Sequence, residues 1–278
     1  MSPRAEEGPT KELEQEGRRG MEWRGYTEEL KSILGLRGSP IAVTYALEPD
    51  PRGRQGRHWA CSALQRAREG EIFSLNRENS ACGGGTFHLG LGPRPTGEAD
   101  LALKKFLTQG EKLFCSLAAL QRVRSLTLDP PLGLADHILI SPLEAAEQRP
   151  DLVVFLVNPE QACRLLTLAT FMEGIPPKVQ LMGAACYMAV AYPLVSGEIN
   201  LTLLDYTARR MRRFAPEELF LTIPFPKMKN LMESIPLCSA GIAKIEFPPE
   251  FRRAFRQEAE EVRKKKEEEE EDAQEMAR

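Results

Sequence analysis

Several signals that would assign a reaction are missing from this chain of 278 residues. It has no P-loop, no dinucleotide-binding glycine pattern, no Gly-x-Ser-x-Gly motif and no His-Glu-x-x-His motif. Nothing therefore forces a nucleotide-binding, hydrolase or metalloprotease interpretation, and whether the protein is an enzyme stays open. Lysine and arginine number 37 against 40 aspartates and glutamates, so the chain lacks the overall basic charge that favours nucleic acid.

Long apolar runs and closely paired cysteines are also missing. Proline, glycine or a charged residue interrupts every apolar run before it is long enough to cross a membrane, and we find no apolar signal segment. The six cysteines show no Cys-x-x-Cys spacing and no framework typical of a secreted disulfide protein; they are Cys61, Cys82, Cys115, Cys163, Cys186 and Cys238. We expect a cytoplasmic protein with reduced thiols that binds neither nucleic acid nor membranes.

Charge is concentrated at the two ends of the chain. Residues 1–20 are polar without an apolar period, which predicts a disordered leader, and translation from Met21 would remove it. Residues 249–278 favour a helix but carry almost no apolar stripe, which predicts a charged helical or disordered tail, with partner binding as the alternative. Residues 21–248 are expected to fold as one α/β domain.

Helix and strand signals alternate through this domain and predict a mixed β-sheet flanked by helices. The run 151–157 is apolar on both faces, as in a central strand, and the following Asn158 and Pro159 are a favourable helix start. Apolar segments that predict strands are 40–45, 71–75, 137–143, 151–157, 178–182, 199–204 and 219–224.

One pattern occurs twice: a helix that contains a cysteine closes at a glycine and a strand follows. It occurs around Cys61, with Gly70, and again around Cys186, with Gly197. If this is more than the chance recurrence of short units, the fold has two pseudo-equivalent αβ halves. The two helix N-termini would then direct both cysteines into a shared cleft, where the helix dipoles would lower the thiol pKa values.

The glycine run after Cys82 is the sharpest candidate for a binding site. Glycines let a ligand approach the backbone closely and leave N–H groups free to point at it. We therefore expect Asn79, Gly83, Gly84 and Gly85 to contact a small-molecule ligand. Arg209 is a further candidate, because an arginine fork matches a carboxylate or phosphate.

Three interpretations compete for the cysteines. In the favoured one, Cys61, Cys82 and Cys186 bind an iron–sulfur cluster or a soft metal ion for redox chemistry or small-anion binding, with His88, Cys238, water or substrate in the fourth position. In the second, two of them are a thiol–disulfide redox pair. In the third they are only buried small side chains, as expected for Cys115 and Cys163, and a metal-free site binds an anion.

Several segments together resemble a known family. They are the runs 30–36, 40–43, 67–70, 79–84, 89–92, 158–162, 197–201 and 223–225, with Cys61, Cys186 and Arg209-Arg210. Across residues 21–245 the chain resembles the archaeal and bacterial family called domain of unknown function 169. The resemblance implies a soluble prokaryotic α/β protein and carries no established activity. Some family members have further cysteines in the segment that corresponds to 203–208, where this chain has none.

Overall fold

The computed structural model of the protein describes residues 23–181, 183–248, 251, 256–265 and 267. The chain separates into two compact units, Met1–Ile242 and Ala243–Arg278. The expected leader 1–20 and Met21 lie outside the described residues, as does much of the expected tail. In the second unit, residues 256–265 are helical and exposed. No helix among the described residues is both long enough and apolar enough to span a bilayer.

The first unit is built on a six-stranded sheet with the order β2-β3-β1-β4-β6-β5. Every pairing between these neighbouring strands is antiparallel. The strands are β1 (Ile41–Ala46), β2 (Phe73–Leu75), β3 (His137–Pro142), β4 (Leu152–Val157), β5 (Asn200–Thr202) and β6 (Leu219–Pro224). The expected class, helices flanking a sheet, is confirmed, but all pairings among the described strands are antiparallel, so the sheet is not mixed as predicted.

The strand order repeats between the two ends of the sheet. In each half the first strand in the chain (β1 or β4) is central, the second (β2 or β5) is at the edge, and the third (β3 or β6) lies between them. Each third strand ends in a proline and continues into one 3₁₀ turn, Leu143–Ala145 or Phe225–Lys227. Because the central pair β1–β4 is antiparallel, an approximate two-fold rotation relates the halves, as the repeated cysteine pattern suggests.

Helices cover both faces of the sheet. The helices are α1 (23–34), α2 (Ala60–Ala67), α3 (Gly83–His88), α4 (Gly97–Lys105), α5 (Leu117–Ser125), α6 (Pro159–Thr170), α7 (Tyr192–Ser196), α8 (Tyr206–Arg212) and α9 (Met228–Ser234). A π-helical stretch, Tyr187–Ala191, leads into α7, so the chain is continuously helical from 185 to 196. The helices α1, α6 and α9 share one core cluster with one face of β4, and α2, α8 and the helix 185–196 share another with the opposite face.

The strand β4 is buried on both faces, so it packs against both helical layers. All six of its residues are buried, and side chains alternate between faces along a strand. Val153 and Phe155 therefore pack under α6, whereas Leu152 and Val154 pack towards α2. This confirms the central strand expected from the run 151–157.

Local signals set most helix boundaries. Asn158 caps α6 in a full capping box with Gln161, and Pro159 is its first residue, as predicted. The strand expected over 178–182 is not formed in 178–181. There the buried side chain of Asn200 exchanges hydrogen bonds with the backbone N–H and C=O of Gln180 (2.7 and 3.2 Å), so a side chain satisfies the groups that a neighbouring strand would have paired.

Candidate functional site

Each of the three candidate cysteines stands at the start of a helix. Cys61 is the second residue of α2, and Cys186 is the second residue of the helix 185–196. Cys82 is the N-cap of α3, and its sulfur accepts a hydrogen bond from the N–H of Gly85 at 3.3 Å. Since the first amides of a helix have no partner within it, all three thiols lie beside backbone groups of positive potential.

The loops that enter α2 and α3 are joined directly. His58 and Ser80 form an isolated parallel β-bridge. His58 N–H donates to the carbonyl of Asn79, and Ala81 N–H donates to the carbonyl of His58, both at 2.9 Å. These bonds hold the start of α2, which carries Cys61, next to the start of α3, which Cys82 caps.

Cys82 and Cys186 meet across Gly85, although they are distant in the chain. A Cβ atom built on Gly85 would lie 3.7 Å from the Cys82 sulfur and 3.9 Å from the Cys186 sulfur. Gly85 is itself buried. The absence of a side chain at this position therefore leaves a methyl-sized space beside both sulfurs.

Electrostatic coupling brings Cys61 into the same group. Burial raises the pKa of the Cys61 thiol from 9.0 to about 11, with smaller contributions in the same direction from Asp205 and Cys82 and a lowering one from Arg212. Burial also raises the pKa of Cys186, and the charges of Cys82, Cys61 and Asp205 raise it further. The expected lowering of thiol pKa values by the helix N-termini is therefore wrong for Cys61 and Cys186, because desolvation outweighs the dipole.

A carboxylate completes the surroundings of the cysteines. Asp205 is the N-cap of α8, and its Oδ1 accepts from the N–H of Ala208 at 2.6 Å. Its Oδ2 accepts from the N–H of Ala185 at 2.7 Å. Asp205 therefore ties α8 to the residue that precedes Cys186.

The chain's family follows from a match to the family model of domain of unknown function 169 (DUF169), described as uncharacterised ArCR, over residues 29–234. The chain belongs to this family. No curated protein matches the chain. No solved structure matches it either. The family match includes Cys61, Cys82, Cys186 and Asp205. Cys238 lies beyond its end.

Two of the expected ligand contacts are occupied by the protein itself. Arg209 donates to the carbonyls of Leu203 (2.7 Å), Ala215 (3.1 Å), Pro216 (3.3 Å) and Glu218 (2.6 Å). The side chain of Asn79 accepts from the N–H of Asn76 at 2.8 Å and donates to the carbonyl of Ser74 at 2.7 Å. Both side chains hold loops of the fold together through these bonds, which fix their orientation within the protein.

The cation beside the cysteines is Arg212, which sequence reasoning missed. Its guanidinium carbon lies 4.1 Å from the centre of the Trp59 ring, a cation–π arrangement, and its charge acts on Cys61. Trp59 is the residue that precedes α2. The basic run after Tyr206 indicated a cation near this segment. Only the packing of α8 against α2 shows that Arg212, and not Arg209, lies beside Trp59 and Cys61.

The remaining cysteines and His88 stand apart from this group. Cys238 is buried in the core on the opposite face of the sheet, which removes it as a fourth ligand. Cys115 and Cys163 are exposed, so the expectation that they are buried is wrong. His88 is buried, and its Nδ1 lies 2.6 Å from the carboxylate of Asp129, so that nitrogen already has a partner.

The arrangement limits the kind of metal site that the cysteines can form. Within the part of the chain that the structure describes, no three His, Cys, Asp or Glu side chains have the placement that a single metal ion requires. A single zinc ion would need thiolates about 2.3 Å from one point. A multi-iron cluster is larger and holds its cysteine ligands further apart than a single ion does.

Proposed function

We propose that Cys61, Cys82 and Cys186 together bind an iron–sulfur cluster, or less favourably a soft metal ion, for redox chemistry or the binding of a small anion. The observation that carries this proposal is that the sulfurs of Cys82 and Cys186 both lie beside Gly85, with Cys61 near enough for the charges of the three thiols to act on one another. Thiolates are the usual ligands of such clusters. When bound, the cluster would supply one-electron transfer.

Charge at the site favours a cationic cofactor over a free anion. Asp205 lies near Cys61 and Cys186, and a metal centre can displace the thiol protons and offset the charge of this carboxylate. Gly83 and Gly84 begin α3, and their N–H groups have no acceptor among the described residues. They are available to stabilise negative charge on the sulfurs or on an anion bound beside the cofactor.

A metal-free anion-binding protein is the weaker alternative. The side chains expected to recognise the anion, Arg209 and Asn79, are already hydrogen-bonded within the protein. Only Arg212 and the glycine amides would then attract the anion. This alternative predicts that phosphate or carboxylate ligands stabilise the protein even in the Cys82→Ser variant.

A thiol–disulfide oxidoreductase is the other alternative, and it is favoured by the nearness of Cys82 and Cys186 to one point. Such chemistry needs an attacking thiolate. Burial raises the pKa values of Cys61 and Cys186, which works against it. None of the six cysteines forms a disulfide, and free thiols of this kind suit a reducing compartment such as the cytoplasm.

The test is elemental analysis and visible absorption of protein purified without oxygen. The wild type is compared with Cys61→Ser, Cys82→Ser and Cys186→Ser, and Cys163→Ser is the control because this cysteine is exposed. We expect iron and acid-labile sulfide in the wild type and the control, and their loss in the three site variants. A colourless wild type without iron or sulfide would overturn the cluster proposal.

A further inference from the structure

Asp205 occupies the place in the second half of the sheet that Cys82 occupies in the first. Cys82 follows the edge strand β2 and caps α3, whereas Asp205 follows the edge strand β5 and caps α8. In each case the side chain accepts a hydrogen bond from the backbone N–H three residues later. The two residues are therefore counterparts in both topology and local geometry.

Cys61 and Cys186 form a second pair of counterparts. Each is the second residue of a helix, and each helix leads to the edge strand of its half. Both helices pack on the same face of the sheet. The four side chains thus form two pairs under the approximate two-fold rotation that relates the halves, with a carboxylate where strict symmetry would place a fourth thiol.

Asp205 is held close to the cysteines by its own contacts. Its Oδ2 accepts from the N–H of Ala185, the residue before Cys186, at 2.7 Å. Its charge also acts on both Cys61 and Cys186. A carboxylate oxygen that accepts one backbone hydrogen bond keeps a lone pair for a second interaction.

We infer that Asp205 is the fourth protein ligand of the cofactor bound by Cys61, Cys82 and Cys186, an inference that rests on the proposed function. Cys238 fits this position less well because it lies on the opposite face of the sheet, whereas Asp205 is hydrogen-bonded to the residue before Cys186. One oxygen donor among three sulfur donors makes one metal position harder than the rest. That position is where an anionic ligand would exchange with the carboxylate.

The test compares Asp205→Asn and Asp205→Cys with the wild type, all purified without oxygen. Iron and sulfide content, the electron paramagnetic resonance spectrum of the reduced protein and the rate of iron loss to a chelator are measured. We expect Asp205→Asn to lose iron roughly tenfold faster or more. We expect Asp205→Cys to change the spectrum and to slow the loss, because it supplies a fourth thiolate.

Folding and charge are controlled separately. Asparagine still caps a helix well, and circular dichroism of both variants checks that they are folded. Glu217→Gln removes an exposed carboxylate beyond the end of α8 and is expected to leave iron content, spectrum and rate unchanged.

The possible outcomes distinguish a failure of the Asp205 inference from a failure of the proposed function. If the wild type holds iron and sulfide while both Asp205 variants match its spectrum and its rate of loss, Asp205 is not a ligand and the inference is overturned. If the wild type holds neither iron nor sulfide, the cluster proposal fails and the inference fails with it.

Discussion

The two helical layers of the sheet differ in regularity. The layer of α1, α6 and α9 includes a capped helix of 12 residues whose inward side chains are large and aliphatic, such as Leu165 and Leu168. The opposite layer is less regular: α2 has 8 residues, α8 has 7, and the helix 185–196 contains the five-residue π-helical stretch Tyr187–Ala191. Each of these pieces begins close to the cysteines.

The two layers therefore contribute differently: one mainly stabilises the fold, and the other positions the cysteines. Long regular helices bury more apolar area per terminus, so they contribute mainly stability. Short helices present more termini, and each terminus supplies unpaired N–H groups that can act on a thiol or an anion. Cysteines in the two layers follow the same division, because Cys238 is only packed in the core whereas Cys186 meets Cys82.

The largest expected effect is a loss of bound iron when the layer that holds the cysteines is changed at Gly85. Gly85→Ala places a methyl group 3.4 Å from Cys82 Cβ and 3.9 Å from the Cys186 sulfur, distances that the folded protein tolerates. Alanine also favours a helix over glycine by up to about 1 kcal/mol. We therefore expect unchanged or slightly increased stability together with loss of bound iron, measured by urea unfolding and elemental analysis.

Gly83→Ala is the matched control for this change, because a Cβ there has no atom within 4 Å. It alters helix propensity in the same short helix without entering the space beside both sulfurs. Equal iron content in the two glycine variants and the wild type would contradict a cofactor in that space.

The second effect belongs to the opposite layer. Leu165 is fully buried on α6, and Leu165→Ala is expected to lower the free energy of unfolding by about 2–5 kcal/mol through lost burial and a cavity. Iron bound per folded molecule should stay the same, because no cysteine of the site lies in this layer. A loss of iron at temperatures where the variant is fully folded would contradict the view that this layer contributes stability but not cofactor binding.

A third, smaller effect tests whether Arg209 is structural. Its four carbonyl contacts predict that Arg209→Gln lowers the free energy of unfolding by about 1–3 kcal/mol. The affinity of the folded protein for inorganic phosphate should not change. Weaker phosphate binding in the folded variant, measured by calorimetry, would restore Arg209 to the ligand site.

The smallest effect is a pH dependence of the cofactor-free protein. Burial raises the pKa of Cys61 from 9.0 to about 11, so the folded state binds its proton more tightly than the unfolded state. The stability from this group is complete below pH 9.0 and is lost as the pH rises towards about 11. We expect the urea midpoint to fall over this range in the wild type and to fall less in Cys61→Ser.

Strong local signals made much of the fold predictable from the sequence. The apolar run over β4, the capping box at Asn158 and the glycines that close helices act over a few residues, so periodicity and residue type reveal them. The helices that carry Cys61 and Cys186 were predicted from the same signals, whereas the short α3 that Cys82 caps was not. The failed strand at 178–181 shows the limit, since a buried asparagine from another segment replaced the partner strand.

The partners of the site residues were not predictable in this way. Arg209 and Arg212 lie in one basic run, yet the first is used by loop carbonyls and the second packs on Trp59. Neither composition nor spacing distinguishes them, because helix rotation and the path of the following loop decide which guanidinium faces α2. Asp205 lies just before the same run, and its hydrogen bond with the N–H of Ala185 depends on a contact between separate helices.

The sequence by itself determined the class of fold, the capped start of α6 and the helices that carry Cys61 and Cys186, because each depends on interactions between near neighbours in the chain. Only the tertiary structure decided that these cysteines meet and that Asp205 joins them. Antiparallel pairing of β1 with β4 sets the two halves side by side, and this brings the start of the helix 185–196, which carries Cys186, beside the helix that Cys82 caps. Burial in that shared space then reversed the expected direction of the pKa shifts of Cys61 and Cys186.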